Sequence, residues 1–223
     1  MTVEEHKVFP LFSVPLFQTN IGPVDPITKA WIMNLDYPQG RVGVTAGIGL
    51  DNDEVIDSTR QGMHIIDKPQ LKLLKTKIQK AINYFAYNVL DVSEDVTFSI
   101  ETSWINQYKQ GEHNMLHNPT NSILSGVYYI DFPPNSGNIT FSKTNLYNNI
   151  FPCAVTPQLK GKNNNQYTLS GYEIVPERGN VLIFPSFLHH CVPPNPTKQD
   201  RYSLAFNTFI RGEIGHGPSL VKL

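Results

Sequence analysis

Two histidines and an arginine near the ends of predicted strands have the side-chain types of a metal site beside an anion pocket. His117 precedes the strand SILSGVYYID, His190 follows the apolar strand GNVLIF, and Arg201 opens the strand RYSLAFNTF. Neutral imidazoles that face each other in a barrel mouth suit Fe, Zn, Cu or Ni. A guanidinium offers a two-pronged donor for a carboxylate, and Ser203 points to the same side of that strand. These residues predict a metal beside a pocket for a small dicarboxylic acid.

Other kinds of site and partner find little support in the sequence. It has no Gly-rich phosphate loop, nucleophile elbow or Cys–His pair. The two cysteines, Cys153 and Cys191, are too few and too distant for a disulfide framework or a CxxC zinc site. The formal net charge of −1 gives no basis for a nucleic-acid or membrane partner. The start, MTVEEHKVFP, lacks a signal peptide, so we expect a cytoplasmic protein, in the host cytoplasm if it is viral.

The first 95 residues predict an edge strand within residues 8–21 and two helices. The segment DPITKAWIMNLDY begins with an Asp cap and with Pro26 at the first helical position. Pro69 opens the clearer helix. Its apolar residues recur at three- and four-residue steps: Leu71, Leu74, Ile78, Ile82, Phe85 and Val89. We expect this helix to pack against a sheet.

From residue 96 the apolar period changes from helical to two, and short strands follow between Pro, Gly and Asn turns. Helices followed by many short strands predict an α+β fold, a double-stranded β-helix (a jelly roll, or cupin-like barrel) with helices packed on one sheet. We expect a single domain over residues 1–223. Residues 96–212 would form the jelly-roll core, and the polar insert at 144–170 would form a long loop.

The run YKQGEHNMLHNP resembles the Y-x-x-G-x-x-x-x-x-H-x-D motif of prolyl-hydroxylase-like 2-oxoglutarate/Fe(II) oxygenases, and matches it at Tyr108, Gly111 and His117. Together with the later segments it is similar to a group of such oxygenases common in bacteria and phages. The resemblance covers about residues 100–212. It implies the cofactors Fe(II) and 2-oxoglutarate, with His117 and His190 as metal ligands.

The same resemblance implies further contacts to 2-oxoglutarate. Arg201 and Ser203 match the R-x-S pair that binds the 5-carboxylate, and Tyr129 matches a tyrosine that supports the same group. Tyr108 would lie nearer the metal and the 1-carboxylate. The weaker pocket candidates are Asn106 and Asn207.

The departure from the family pattern is Pro119, which stands where the superfamily has an aspartate ligand. Proline offers no side-chain donor atom. Glu112, His113 or Asn121 is an alternative third ligand, and a water is another. Halogenases of this superfamily leave the position open to a halide with a small residue, and proline is bulkier than that.

Several of these residue types have an ordinary structural explanation as well. His113 and His189 are each more typical of a surface or capping residue than of a ligand. Arg201 alone would be a strand-end charge that pairs with Asp200 or Glu177. Asp131 is typical of a turn residue. Core packing is the prediction for Trp104, Phe184, Phe206, Phe209 and one of the tyrosines 128 and 129.

The function predicted from the resemblance is a 2-oxoglutarate- and Fe(II)-dependent dioxygenase, specifically a hydroxylase of a small molecule or a protein side chain. One alternative is a weakened or inactive jelly-roll module that binds a ligand or protein without the triad carboxylate. Another is a structural jelly-roll protein such as a capsid component, which needs no histidine pair. The sequence leaves the oligomeric state open, with a homodimer as one option.

Overall fold

A computed structural model of the chain describes residues 12–35, 37, 46–47, 64–143 and 168–223. Its helices are α1 (Pro26–Met33) and α2 (Lys72–Tyr84). The strands, in chain order, are β1 (Phe17–Asn20), β2 (Ala46–Gly47), β3 (Val96–Tyr108), β4 (Asn114–His117), β5 (Leu124–Asp131), β6 (Ile139–Ser142), β7 (Gly171–Ile174), β8 (Asn180–Pro185), β9 (His189–Val192), β10 (Arg201–Ile214) and β11 (Val221–Lys222).

Helix α1 begins as its sequence predicts. The carboxylate of Asp25 accepts hydrogen bonds from the backbone N–H groups of Ile27 and Thr28, at 3.0 and 2.9 Å, and Pro26 occupies the first turn. These contacts satisfy N–H groups that the helix leaves unpaired, and proline has no N–H to satisfy. The predicted start of this helix is confirmed.

Helix α2 carries the predicted apolar stripe. A 3-10 turn at Pro69–Leu71 leads into it, and a π-helical turn at Phe85–Val89 ends it. The stripe is buried from Leu71 to Phe85, but Val89 is 48% exposed. A π turn has a longer period than an α turn, which moves Val89 off the buried face. The prediction for that last residue is therefore wrong.

The strands form two antiparallel sheets. The larger one, called here the major sheet, has the order β1-β8-β5-β10-β3-β2, with β11 paired to β10. The minor sheet has the order β4-β9-β6-β7. Most neighbouring strands in both sheets are not consecutive in the chain, which is typical of a jelly roll. The predicted double-stranded β-helix is confirmed.

Side chains alternate along the central strands and build a separate core on each face of the major sheet. On β8, Val181 and Ile183 join the cluster that contains the apolar residues of α2, whereas Leu182 and Phe184 join Ile139 and other residues of the minor sheet. The helices thus cover one face of the major sheet, and the minor sheet packs on the other. This arrangement confirms the predicted α+β class.

Some sequence predictions fall outside the described residues or differ from the structure. Cys153 and residues 144–167 of the predicted insert lie outside the described ranges, whereas Cys191 lies on β9 with a free thiol. The sequence predicted only that His117 precedes a strand, but His117 itself ends strand β4, which pairs with β9. β4 has four residues and no β-branched residue, so its pairing with a distant strand leaves little local signal. No helix among the described residues has the length and apolarity to cross a bilayer.

Candidate active site

A cavity of about 220 Å³ lies between the two sheets. Its walls come from the inward-facing residues of β3, β5 and β10 on the major sheet and of β4 and β9 on the minor sheet. All eight residues selected from the sequence line this cavity: Asn106, Tyr108, His117, Tyr129, His190, Arg201, Ser203 and Asn207. Their roles as ligands stay predictions, but the structure places them around one space.

The register of the major sheet explains why five of these side chains converge. Arg201 pairs with Tyr108 on β3, and Ser203 pairs with Asn106 on β3 and with Tyr129 on β5. Residues opposite each other in antiparallel strands point to the same face, and so do residues two apart on one strand. Three strands therefore present Arg201, Ser203 and their partners to the same end of the cavity.

The two histidines lie opposite each other on the minor sheet. His117 pairs directly with His190, and their ring centroids are 4.4 Å apart. Nδ1 of His117 is 2.8 Å from the carbonyl oxygen of Met115, and Nδ1 of His190 is 3.0 Å from that of Leu188. A carbonyl oxygen only accepts, so each Nδ1 carries the proton and each Nε2 carries the free lone pair.

This arrangement fits a divalent metal. Backbone carbonyls that bind Nδ1 are the usual outer-shell partners of metal-binding histidines, because they fix the ring and its tautomer. Burial lowers the pKa of His190 to about 4. The ring packs edge-on against Phe184, at 4.9 Å between centroids, which keeps water from it. At neutral pH its imidazole is therefore uncharged and can bind a metal without first losing a proton.

The neighbouring His189 does not line the cavity. It pairs with Ser142 on β6, whereas His190 pairs with Phe141. Adjacent strand residues point to opposite faces, so only one of the two histidines can face His117. The structure puts His190 in that position.

Arg201 is held at the buried end of the cavity with 2% of its surface exposed. Its Nη1 donates to the carbonyl oxygens of Ser136 and Gly137, at 2.9 and 2.8 Å, and its guanidinium carbon lies 3.9 Å from the ring centroid of Tyr108. The second terminal nitrogen, Nη2, is buried and has no hydrogen-bond partner in the described part of the chain. Asp200, which the sequence offered as an ion-pair partner of Arg201, instead accepts a hydrogen bond from Nε2 of Gln107.

A ligand carboxylate would complement the charge and the hydrogen-bond donors at this end of the cavity. Burial lowers the pKa of Arg201, but a guanidinium stays protonated in proteins, so the site keeps one buried positive charge. Burial raises the pKa of the Tyr129 phenol, which therefore remains a neutral O–H donor beside Arg201. An unpaired buried charge costs free energy, and a carboxylate would satisfy both it and the donor. The residues fit the distal carboxylate of a diacid.

Gly137 provides a test of how Arg201 is positioned. A Cβ at this glycine, whose φ is +98°, would lie 3.0 Å from Nη1 of Arg201 and 3.0 Å from the carbonyl oxygen of Pro193. We expect Gly137→Ala to weaken 2-oxoglutarate binding by roughly tenfold, about 1.4 kcal/mol, because the guanidinium must shift. Calorimetric titration of the Mn(II)-loaded protein measures the change.

Gly111→Ala is the matched control. Gly111 has a φ of +84°, but a Cβ there meets nothing within 4 Å. Both variants place an L side chain in the left-handed region and should lose similar stability, on the order of 1 kcal/mol. If the two variants bind 2-oxoglutarate equally well, the carbonyls of Ser136 and Gly137 do not position Arg201.

The third metal ligand is not evident. Within the described ranges, no three side chains of His, Cys, Asp or Glu are grouped so that they could hold a metal ion. Glu112 uses Oε2 to accept from the backbone N–H of Lys109 at 2.7 Å, and neither it nor His113 or Asn121 lines the cavity. Pro119 does line it, and so does Asn114 at the start of β4, which sequence reasoning missed.

Pro119→Asp tests whether the third position is open. An aspartate two residues after His117 would add an anionic oxygen at the spacing the superfamily uses. We expect Fe(II) or Mn(II) to bind roughly tenfold more tightly, a gain of about 1.4 kcal/mol. Titration of the metal into the protein measures this gain, and Pro119→Ala controls for loss of the proline ring.

Unchanged affinity in Pro119→Asp would show that another side chain already fills the position. Alanine variants at Glu112, His113, Asn121 and Asn114 would then identify that side chain. Asn114 belongs in this set because it faces the cavity from the same strand as His117.

The remaining sequence assignments concern core packing and Asp131. Trp104 was predicted as core, but it is half-buried and lines the cavity; its place four residues before Tyr108 on an alternating strand was the signal. Phe184 and Phe206 are buried as predicted, and Phe209 is half-buried. Asp131 ends β5 and forms ion pairs with Lys29 at 2.9 Å and Arg178 at 2.5 Å.

Comparison with known proteins shows which family the segment around this site is similar to. Residues 102–207, which contain all eight cavity residues listed above, match the model of the family described as "Putative 2OG-Fe(II) oxygenase". That description names 2-oxoglutarate (2OG) and Fe(II), for which the buried Arg201 and the histidine pair provide fitting groups. No curated protein matches the chain in sequence.

Solved structures of 2OG-Fe(II) oxygenases share the fold. A Burkholderia pseudomallei oxidoreductase of that family has a TM-score of 0.52 at 14% identity, with 86% of this chain and 83% of that chain covered. HygX from Streptomyces hygroscopicus, with nickel and 2-oxoglutarate bound, has a TM-score of 0.53 at 12% identity, with 87% and 82% covered. A Trichoplax adhaerens prolyl hydroxylase in complex with a hypoxia inducible factor peptide has 0.54 at 13%, with 87% and 83% covered.

Proposed function

We propose that this chain is a 2OG-Fe(II) oxygenase, specifically a dioxygenase that couples the oxidation of 2-oxoglutarate to the hydroxylation of a second substrate. One observation carries the proposal. A single cavity has two imidazole Nε2 lone pairs on one wall and, at the buried end called here the closed end, the Arg201 guanidinium. Nη2 of this guanidinium has no hydrogen-bond partner among the described residues. A metal and a dicarboxylate together would satisfy these groups.

The residues divide into two sets by role. His117 and His190 would hold Fe(II) through Nε2, in the orientation that the carbonyls of Met115 and Leu188 impose. Arg201 would bind the distal carboxylate of 2-oxoglutarate through Nη2, with Ser203 and the Tyr129 phenol as neutral donors beside it. Bound Fe(II) would supply the chemistry that activates O₂.

Burial of the closed end contributes to binding. Arg201, Ser203 and Tyr129 are 2%, 3% and 4% exposed, so a carboxylate there is shielded from water. Electrostatic attraction is stronger in such a low-dielectric environment than in solvent. The closed end therefore also fixes the direction of the cosubstrate, with its keto acid end toward the histidine pair.

A non-catalytic binding module is the second candidate, and one observation favours it. Pro119 occupies the position of the usual carboxylate ligand, and the described residues supply no third acidic, histidine or cysteine ligand. The Arg201 site argues against complete loss of function, since its unpartnered nitrogen would be costly to maintain without a ligand.

Formation of succinate separates the two candidates. The Fe(II)-loaded protein with 2-oxoglutarate and O₂ should release succinate slowly even without a second substrate, and the signal should vanish under anaerobic conditions. If Fe(II) and 2-oxoglutarate both bind but no succinate forms with or without candidate substrates, the binding module is the better description.

A further inference from the structure

The solvent exposure of the residues that line the cavity increases along its length. On β10, Arg201 and Ser203 are buried, whereas Ala205 and Asn207 are half-buried. β3 shows the same gradient, because Tyr108 is buried and Trp104, which pairs with Ala205, is half-buried. Two adjacent strands therefore give the cavity a closed end at Arg201 and an open end at Asn207.

The described residues at the open end carry no charge. Among the described residues that line the cavity, Arg201 is the one charged side chain, and it lies six residues from Asn207. At about 3.3 Å per strand residue these positions are about 20 Å apart along β10, farther than a five-carbon diacid extends. A 2-oxoglutarate molecule bound at Arg201 therefore does not reach Asn207, and the open end has room for a second molecule.

A hydroxyl network fixes the side chain of Asn207. Ser125, which pairs with Asn207 across the strands, donates from Oγ to Oδ1 of Asn207 at 2.8 Å. The Ser125 hydroxyl in turn lies 2.7 Å from Oγ of Ser186, and both serines are 2% exposed. Because Oδ1 accepts from the network, the amide nitrogen Nδ2 is left as a donor. It has no hydrogen-bond partner among the described residues that line the cavity.

We propose that the open end is the subsite for the hydroxylated substrate, and that it selects an uncharged group with a hydrogen-bond acceptor. The acceptor would accept a hydrogen bond from Nδ2 of Asn207, and an apolar face of the same group would pack against the indole of Trp104. This inference rests on the proposed function and names the substrate class for it.

Desolvation supplies the reason for the selection. A charged substrate group that enters the cavity loses water and meets no opposite charge among the described residues of the open end, which costs several kcal/mol. An uncharged acceptor loses less and regains one hydrogen bond from a donor that is already oriented. The indole adds apolar contact with a neutral ring of the substrate group.

Three probes with one carbon skeleton test the proposal: cyclohexanecarboxamide, cyclohexanecarboxylate and cyclohexylmethylammonium. Trp104 reports their binding by fluorescence in a Trp31→Phe background, since the chain has two tryptophans and Trp31 packs on the other face of the major sheet. Titrations use protein loaded with Mn(II) and saturated with 2-oxoglutarate. We expect the carboxamide to bind at least tenfold more tightly than either charged probe.

Asn207→Asp is the decisive variant. It keeps the acceptor for Ser125 and the shape of the side chain, but replaces the amide donor by an anionic acceptor. The preference should then invert to the ammonium probe by about tenfold, about 1.4 kcal/mol. Circular dichroism confirms that the variant is folded, and Asn207→Ala, which removes the donor and adds no charge, should reduce carboxamide binding without this inversion.

Any of four results would overturn the proposal. They are equal affinities for the three probes, preference for the anion, lack of binding by all three, and no inversion in Asn207→Asp. The same samples report 2-oxoglutarate affinity before the probes are added. If the Mn(II)-loaded Trp31→Phe protein does not bind 2-oxoglutarate, the proposed function is refuted. If it binds 2-oxoglutarate but shows the wrong probe preference, only the substrate class is refuted.

Discussion

Arg201→Ala should weaken the binding of 2-oxoglutarate to the Mn(II)-loaded protein by roughly two decades or more. The guanidinium is 2% exposed and has one terminal nitrogen free for a ligand, so its removal leaves the distal carboxylate buried without a counter-charge. Loss of one partner from a buried charged pair typically costs about 2–5 kcal/mol. Calorimetric titration under anaerobic conditions measures the affinity without turnover.

Two variants control this measurement. Arg201→Lys keeps the charge but loses the two-pronged geometry, so its affinity should fall between those of the wild type and of Arg201→Ala. Arg211→Ala removes an exposed arginine of the same strand, one that pairs with Glu101 at 3.3 Å, and should leave the affinity unchanged. Unchanged affinity in Arg201→Ala would refute the assignment of the closed end to 2-oxoglutarate.

His117→Ala and His190→Ala should each abolish stoichiometric binding of Fe(II) or Mn(II). The two rings lie 4.4 Å apart with Nε2 unprotonated, and the described residues offer no group of three other ligands that could compensate. Soft and borderline imidazole ligands supply most of the affinity for such metals at a site without a carboxylate. Equilibrium dialysis with metal analysis gives the stoichiometry, and circular dichroism shows whether each variant is folded.

His189→Ala is the control for the register. It removes the imidazole adjacent in sequence, whose strand position faces away from the cavity. Metal binding should therefore persist in this variant. Loss of the metal in His189→Ala with retention in His190→Ala would mean that β9 pairs with β4 in a register one residue from the one described.

The sequence was sufficient for the parts of the site that depend on local pattern. Alternation along β3 and β10 places Tyr108, Arg201 and Ser203 on an inward face, and strand β3 begins at residue 96, where the apolar period changes. The repeated apolar residues of α2 likewise identified the helix that packs on the major sheet. These features repeat over many residues, so their period is visible without tertiary information.

Features that depend on pairing between distant strands were not visible. β4 and β9 have four residues each, and their pairing brings together histidines 73 positions apart in the chain. The carbonyl oxygens that accept hydrogen bonds from Arg201 belong to a turn at Ser136 and Gly137, and no side-chain pattern predicts their position. Trp104 was predicted as core because an aromatic residue on a strand is usually buried, although its spacing from Tyr108 places it on the same face of β3.

A crystal structure of the protein grown anaerobically with Mn(II) and 2-oxoglutarate tests the central claim most directly. The claim is that one cavity binds both molecules. We predict the metal on Nε2 of His117 and Nε2 of His190, and the distal carboxylate of 2-oxoglutarate within hydrogen-bond distance of Nη2 of Arg201. Metal bound at His113 or His189, or 2-oxoglutarate bound away from Arg201, would contradict the claim.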